Sequence, residues 1–136
     1  FPKDENQSLK QRIRRRYEQF IGIIDFVENS GKGIAFPIRT YFIFQLESEQ
    51  NPDILEKVKI SMDEYRQEIT ELVQTAKDRN EISIELPATI IAQQIMSMIE
   101  GIAIHHSALK DNSRIFLTKK YKEVIESYLD LILKIN

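Results

Sequence analysis

The chain has no cysteine and, over 136 residues, only four prolines and four glycines. The missing thiols exclude cysteine nucleophiles, disulfide frameworks, iron–sulfur clusters and cysteine-ligated zinc together. An excess of positive charge is also lacking. Nineteen Lys and Arg stand against 21 Asp and Glu, for a formal net charge of −2, so the chain by itself is not expected to grip DNA tightly. No uninterrupted membrane-length run occurs either. The most apolar stretch, Leu86 to Leu109, is broken by Gln93, Gln94, Glu100, His105 and His106, which leaves a buried helix and no membrane partner as the expectation. The opening Phe1-Pro2-Lys3-Asp4-Glu5 has neither an initiator Met nor a secretory pattern. It reads as a fragment of something longer that works in the cytoplasm.

What is present is the composition of one globular domain, with 42% hydrophobic and 29% charged residues. A folded chain of this length buries roughly two-thirds of the surface its unfolded form exposes, enough for a core without staples. Residues 1–136 are therefore read as a single domain. Strand-like alternation is almost absent, and the prolines divide the sequence into segments with a helical period.

Leu9, Ile13, Tyr17, Phe20, Ile24 and Val27 draw one stripe down a first helix that ends at Asn29-Ser30-Gly31. Pro37 opens a second, short helix with Ile38, Tyr41, Phe42, Ile43, Phe44 and Leu46 on all sides, suited to the middle of a bundle. Asn51-Pro52-Asp53 reads as the N-cap and first turn of a third helix. Its stripe is Leu55, Val58, Met62, Tyr65, Ile69, Leu72 and Ala76, and Asn80 offers a left-handed cap at its end.

A fourth helix, from about Pro87 to Leu109, has two apolar faces. Ala88, Ala92, Ile95, Ile99, Ile102 and His106 form one; Ile90, Gln94, Ser97, Gly101, Ile104 and Ala108 form the other. Two such faces need two partners, and the second is read as another copy of the chain. Ser113 is placed to cap a last helix with the stripe Leu117, Tyr121, Val124, Tyr128, Leu131 and Ile135, widened by Ile125, Leu129 and Ile132. The fold class is thus all-α, a bundle of about five helices.

Signals for catalysis or cofactors are weak. His105 and His106 are neighbours, about 100° apart on a helix, and the two-histidine zinc helix needs a four-residue spacing. One buried and one surface histidine is the preferred reading, with no metal. Gly31-Lys32-Gly33 lacks the spacing and the Ser or Thr of a phosphate loop. No serine has a base and an orienter nearby, no cofactor motif occurs, and enzyme activity is not expected. Asp25, between Ile24 and Phe26, either reaches solvent or meets something cationic. Lys10, Arg12, Arg14, Arg15 and Arg16 read as a solvated face, or as a face that touches a neighbouring domain or its nucleic acid.

Across Ser8 to Leu133 the order of helices resembles the C-terminal regulatory domain of TetR-family transcriptional repressors. The residues that carry the resemblance are Glu71-Leu72-Val73, Ala76-Lys77-Asp78-Arg79-Asn80-Glu81-Ile82, Ala88, Ala92 and Met98-Ile99-Glu100-Gly101-Ile102, together with Pro37 to Glu47 before Asn51-Pro52-Asp53. Asn80 stands where many members have Gly. The resemblance implies a domain that dimerises and senses a small molecule, with DNA bound only through an N-terminal helix-turn-helix that no residues here match. A helical adaptor or scaffold without a ligand is the competing class.

Two sites are expected. The first is a symmetric dimer contact through the last two helices, with Gln94, Ser97, Gly101, Ile104 and Ala108 on one and Tyr121 and Tyr128 on the other. The second is a largely apolar pocket between the first three helices and the inner face of the fourth, for a mainly hydrophobic effector. Tyr17, Tyr41, Gln45 and Tyr65 place polar tips on apolar stripes there, and Phe20, Ile24, Phe44, Met62 and Ile99 supply walls. The plainer alternative is that the tyrosines reach solvent and Gln45 caps a neighbour's backbone.

Overall fold

The computed structural model describes residues 7–21, 46, 50–109 and 114–134, with backbone only at 21, 58, 104–109 and 114. Four helical segments account for most of them. Helix α1 is Leu9–Ile21, α2 is Pro52–Asp78 and α3 is Ala88–Leu109. The last segment, α4, comprises Arg114–Lys120, a π-helical turn Tyr121–Glu126 and Ser127–Ile132 without a break between them. The sequence expectation of an all-α fold holds. The expected short helix after Pro37 falls outside the described residues except at Leu46, which is helical and 69% exposed, and Ser113 falls outside them too.

Local chemistry sets the helix ends. Ser8 and Gln11 form a reciprocal capping box: the Gln11 N–H donates to Ser8 Oγ (3.3 Å) and the Ser8 N–H to Gln11 Oε1 (2.9 Å). At the start of α2, Asn51 Oδ1 accepts from the N–H groups of Asp53 (3.1 Å) and Ile54 (3.5 Å), and Pro52 occupies the first position. At its end Asn80 has φ 61°, and the Glu81 N–H reaches back to the Ala76 carbonyl at 2.9 Å. Asn80 therefore supplies the left-handed cap.

Helix α3 lies against α2 and α4, while α1 packs on both α2 and α4. Their shared core contains Leu9, Ile13 and Tyr17 of α1, Ile69, Val73 and Ala76 of α2, and Ile91, Ala92, Ile95, Ile99 and Ile102 of α3. The link after α2 is tied to the chain's last described residues. Ile82 pairs with Leu133 in an isolated antiparallel bridge, the Ser83 N–H donates to the Ile132 carbonyl (2.7 Å) and the Lys134 N–H to that of Glu81 (2.8 Å). The link between α2 and α3 and the end of α4 are thereby clamped together.

The stripe of α4 differs from the sequence expectation. Leu117 and Tyr121 are buried, and so are Ile125, Leu129 and Ile132, which were expected only to widen the stripe, whereas Val124 and Tyr128 are half-buried and Leu131 is 78% exposed. The π turn is the physical reason. Its hydrogen bonds span five residues, so it holds one residue more than an α-turn and sets back the phase of everything after it.

Candidate functional site

The two faces of α3 separate cleanly. Ala88, Ala92, Ile95, Ile99 and Ile102 are buried. On the opposite side Ile90, Gln94, Ser97 and Gly101 are exposed, and a Cβ added at Gly101 would have no neighbour within 4 Å. Beside this face runs a surface groove of about 430 Å³ lined by Ile90, Gln93, Gln94, Ser97, Met98 and Tyr128. The Tyr128 hydroxyl donates to Gln94 Oε1 across it, tying α4 to α3. Partial burial raises the Tyr128 phenol above its usual pKa. Ile104 and Ala108 follow on α3, where only the backbone is described.

Tyr121 is not part of this surface. It is 2% exposed, its ring lies 4.8 Å from that of Tyr17, and its hydroxyl donates to the Lys10 carbonyl at 3.2 Å. The π turn begins at Tyr121, and there the residue belongs to the α1–α4 seam. Its place on an interface requires correction: only Tyr128 of the pair lies beside the open face of α3.

Of the expected pocket residues, Tyr17 also goes elsewhere. It is 1% exposed and its hydroxyl donates to the Leu117 carbonyl at 2.6 Å, so its polar tip is committed to backbone within the core. Burial pushes both phenols, Tyr17 and Tyr121, well above the ordinary range. Phe20, Met62 and Tyr65 are half-buried between α1 and α2, with the Phe20 and Tyr65 rings 5.3 Å apart. Ile99 is buried in the core. Ile24, Tyr41, Phe44 and Gln45 lie outside the described residues, as does Asp25.

The basic residues of α1 are not simply a solvated face. Lys10 Nζ sits 2.7 Å from Asp130 Oδ1, and that hydrogen bond raises the ammonium pKa against the opposing effect of desolvation. Arg16 lies 3.7 Å from Glu68 of α2, and the Arg14 guanidinium stands 5.9 Å from the Tyr121 ring centre. These contacts stitch α1 to both of its neighbours. Only the cluster itself was visible in sequence; its partners are 52 or more residues away.

Two features escaped sequence reasoning. Glu100 of α3 is half-buried, and burial raises its carboxyl pKa while Arg66 of α2 opposes the shift. The capping box at Ser8 was also missed, although the pattern Ser-x-x-Gln could have shown it. Among the described residues no group of His, Asp and Glu is placed to hold a metal, and no helix is long and apolar enough to cross a membrane. Comparison with protein-family models, with curated proteins and with solved structures gives no match.

Proposed function

We propose that this chain is the effector-sensing and dimerisation domain of a TetR-like transcriptional regulator acting in the cytoplasm. It pairs with a second copy through α3 and α4, binds a mainly hydrophobic small molecule, and relays occupancy to an N-terminal helix-turn-helix that alone contacts DNA. No enzymatic activity or cofactor is part of this reading. The observation that supports it best is the second face of α3. Ser97 and Gly101 are small and exposed on a helix whose other side is fully buried, beside a groove closed on one side by Tyr128. Small residues allow two helices to approach closely, and an aromatic with a polar tip suits an interface.

The half-buried cluster of Phe20, Met62 and Tyr65 supports an effector site between α1 and α2. An adaptor dimer without a ligand is the second reading, and one observation favours it: the hydroxyls of Tyr17 and Tyr121 are both taken by backbone carbonyls. Native mass spectrometry of protein purified from its host tests both. A dimer carrying a retained apolar compound supports the sensor, an empty dimer the adaptor, and a monomer neither.

A further inference from the structure

Helix α4 carries two apolar stripes that differ by one residue. Leu117, Tyr121, Ile125, Leu129 and Ile132 are buried. Val124, Tyr128 and Leu131 continue Leu117 and Tyr121 in steps of three and four, the spacing of an unbroken α-helix, yet they face partly or wholly outward. The π turn decides between the two. In it the Ser127 N–H bonds to the Lys122 carbonyl, five residues back, and the Ser127 hydroxyl donates to the same oxygen at 3.0 Å.

We infer that α4 is a two-register element. When the π turn relaxes to an α-turn, Ser127–Ile132 rotates by one residue, about 100°, and Val124 and Ile125 inside the turn rotate part of the way with it. Val124, Tyr128 and Leu131 then replace Ile125, Leu129 and Ile132 against the core, one apolar set for another. The observed register is held from outside the stripe by three ties: Lys10 to Asp130, Tyr128 to Gln94, and Leu133 opposite Ile82. In the second register Leu129 points where Asp130 now meets Lys10, and Ser127 points where Tyr128 now meets Gln94. The element thus couples α1 to the outer face of α3. That a dimer would favour the observed register rests on the function proposed above; the exchange itself does not.

The absence of cysteine makes the exchange measurable with single introduced thiols. Leu129→Cys and Ile95→Cys replace residues that are both fully buried. The first is exposed by the register change and the second only by larger unfolding. Under native conditions Leu129→Cys should react with a thiol reagent about tenfold or more faster than Ile95→Cys. Deletion of the exposed Lys122 removes the extra residue, fixes the buried stripe in an unbroken α-helix, and should bring the two rates within about twofold with the helical circular dichroism retained. Equal rates in the undeleted chain, a Leu129→Cys rate that the deletion leaves unchanged, or a Lys122-deleted chain that does not fold would overturn the inference. Ile125→Cys serves the same comparison where Leu129→Cys loses its helical signal. Light scattering on the same samples reports the oligomeric state separately, so a failure of the dimer reading is distinguishable from a failure of the register exchange.

Discussion

Tyr17 and Tyr121 exchange hydrogen bonds between α1 and α4: each hydroxyl donates to a backbone carbonyl of the other's helix, Leu117 at 2.6 Å and Lys10 at 3.2 Å, with the rings 4.8 Å apart. The pair fixes α1 along α4 in both position and rotation. A plain apolar contact would fix neither so closely, because it has no direction.

Removing either hydroxyl should therefore cost stability without changing the fold. Tyr17→Phe leaves the buried Leu117 carbonyl short of a partner and should lower the unfolding free energy by about 1–3 kcal/mol. Tyr121→Phe, with the longer bond, should cost less. Urea denaturation of the two single variants and the double variant gives the coupling between them.

The same pair should make the protein sensitive to alkali. Both phenols titrate higher in the folded chain than the ordinary value near 10, chiefly because burial penalises the phenolate. The unfolded chain then releases protons first, so their contribution is intact below pH of about 10 and stability falls as pH rises above it. Thermal melts between pH 8 and 11 should show this decline, and it should be shallower in Tyr17→Phe.

Glu100 carries a dependence of the same sign in a lower pH range. Burial raises its carboxyl pKa and Arg66 only partly compensates, so the folded chain holds this proton to higher pH than the unfolded chain does. Its contribution becomes more favourable as pH falls from neutral through the raised value. Glu100→Gln should accordingly be at least as stable as the parent at pH 7, with the difference shrinking in acid. A variant less stable than the parent at neutral pH would show that the ionised carboxylate is needed.

The two ends of α2 and the two-sided character of α3 were legible in sequence because each depends on residues close together in the chain. Asn51 before Pro52 caps through N–H groups two and three residues away, and Asn80 needs only its own backbone to accept a positive φ. The period of α3 likewise separates buried Ile95 and Ile99 from exposed Gln94 and Ser97. Partners distant in sequence were not legible. Nothing around Tyr17 indicates that its hydroxyl meets a carbonyl one hundred residues later, and an apolar stripe with a polar tip reads equally as pocket or core. Which line of the wide α4 stripe is buried was not legible for a different reason: a count at 3.6 residues per turn centres it on Val124 and Tyr128, and the wide turn moves the centre to Ile125 and Leu129.

The open face of α3 gives a prediction that separates association from folding. A side chain at Gly101 enters empty space within the subunit, so Gly101→Leu should keep or slightly raise helix stability, since glycine inside a helix costs about 1 kcal/mol relative to alanine. In a dimer built on close approach at Ser97 and Gly101 the same side chain would hold the helices apart. Light scattering at micromolar concentration should find the parent dimeric and the variant monomeric, with unchanged circular dichroism. A variant that dimerises as the parent does would move the interface elsewhere.

The effector reading makes the most demanding prediction, because it requires a ligand that only the folded chain binds. An apolar compound with one or two polar groups, present at 100 times its dissociation constant, should stabilise the fold by about 2.7 kcal/mol and raise the melting temperature accordingly. Phe20, Met62 and Tyr65 form the half-buried seam between α1 and α2 and are the residues through which that gain should pass. Phe20→Ala and Tyr65→Ala should each reduce the ligand-dependent increment, measured against the variant's own melting temperature so that lost packing is not counted as lost binding. Leu131→Ala, at an exposed position on the far helix, should leave the increment unchanged. If no member of an apolar library raises the melting temperature while the protein is dimeric, the adaptor reading stands. If compounds stabilise the chain equally with and without Phe20 and Tyr65, the ligand binds but the seam between α1 and α2 is not its site.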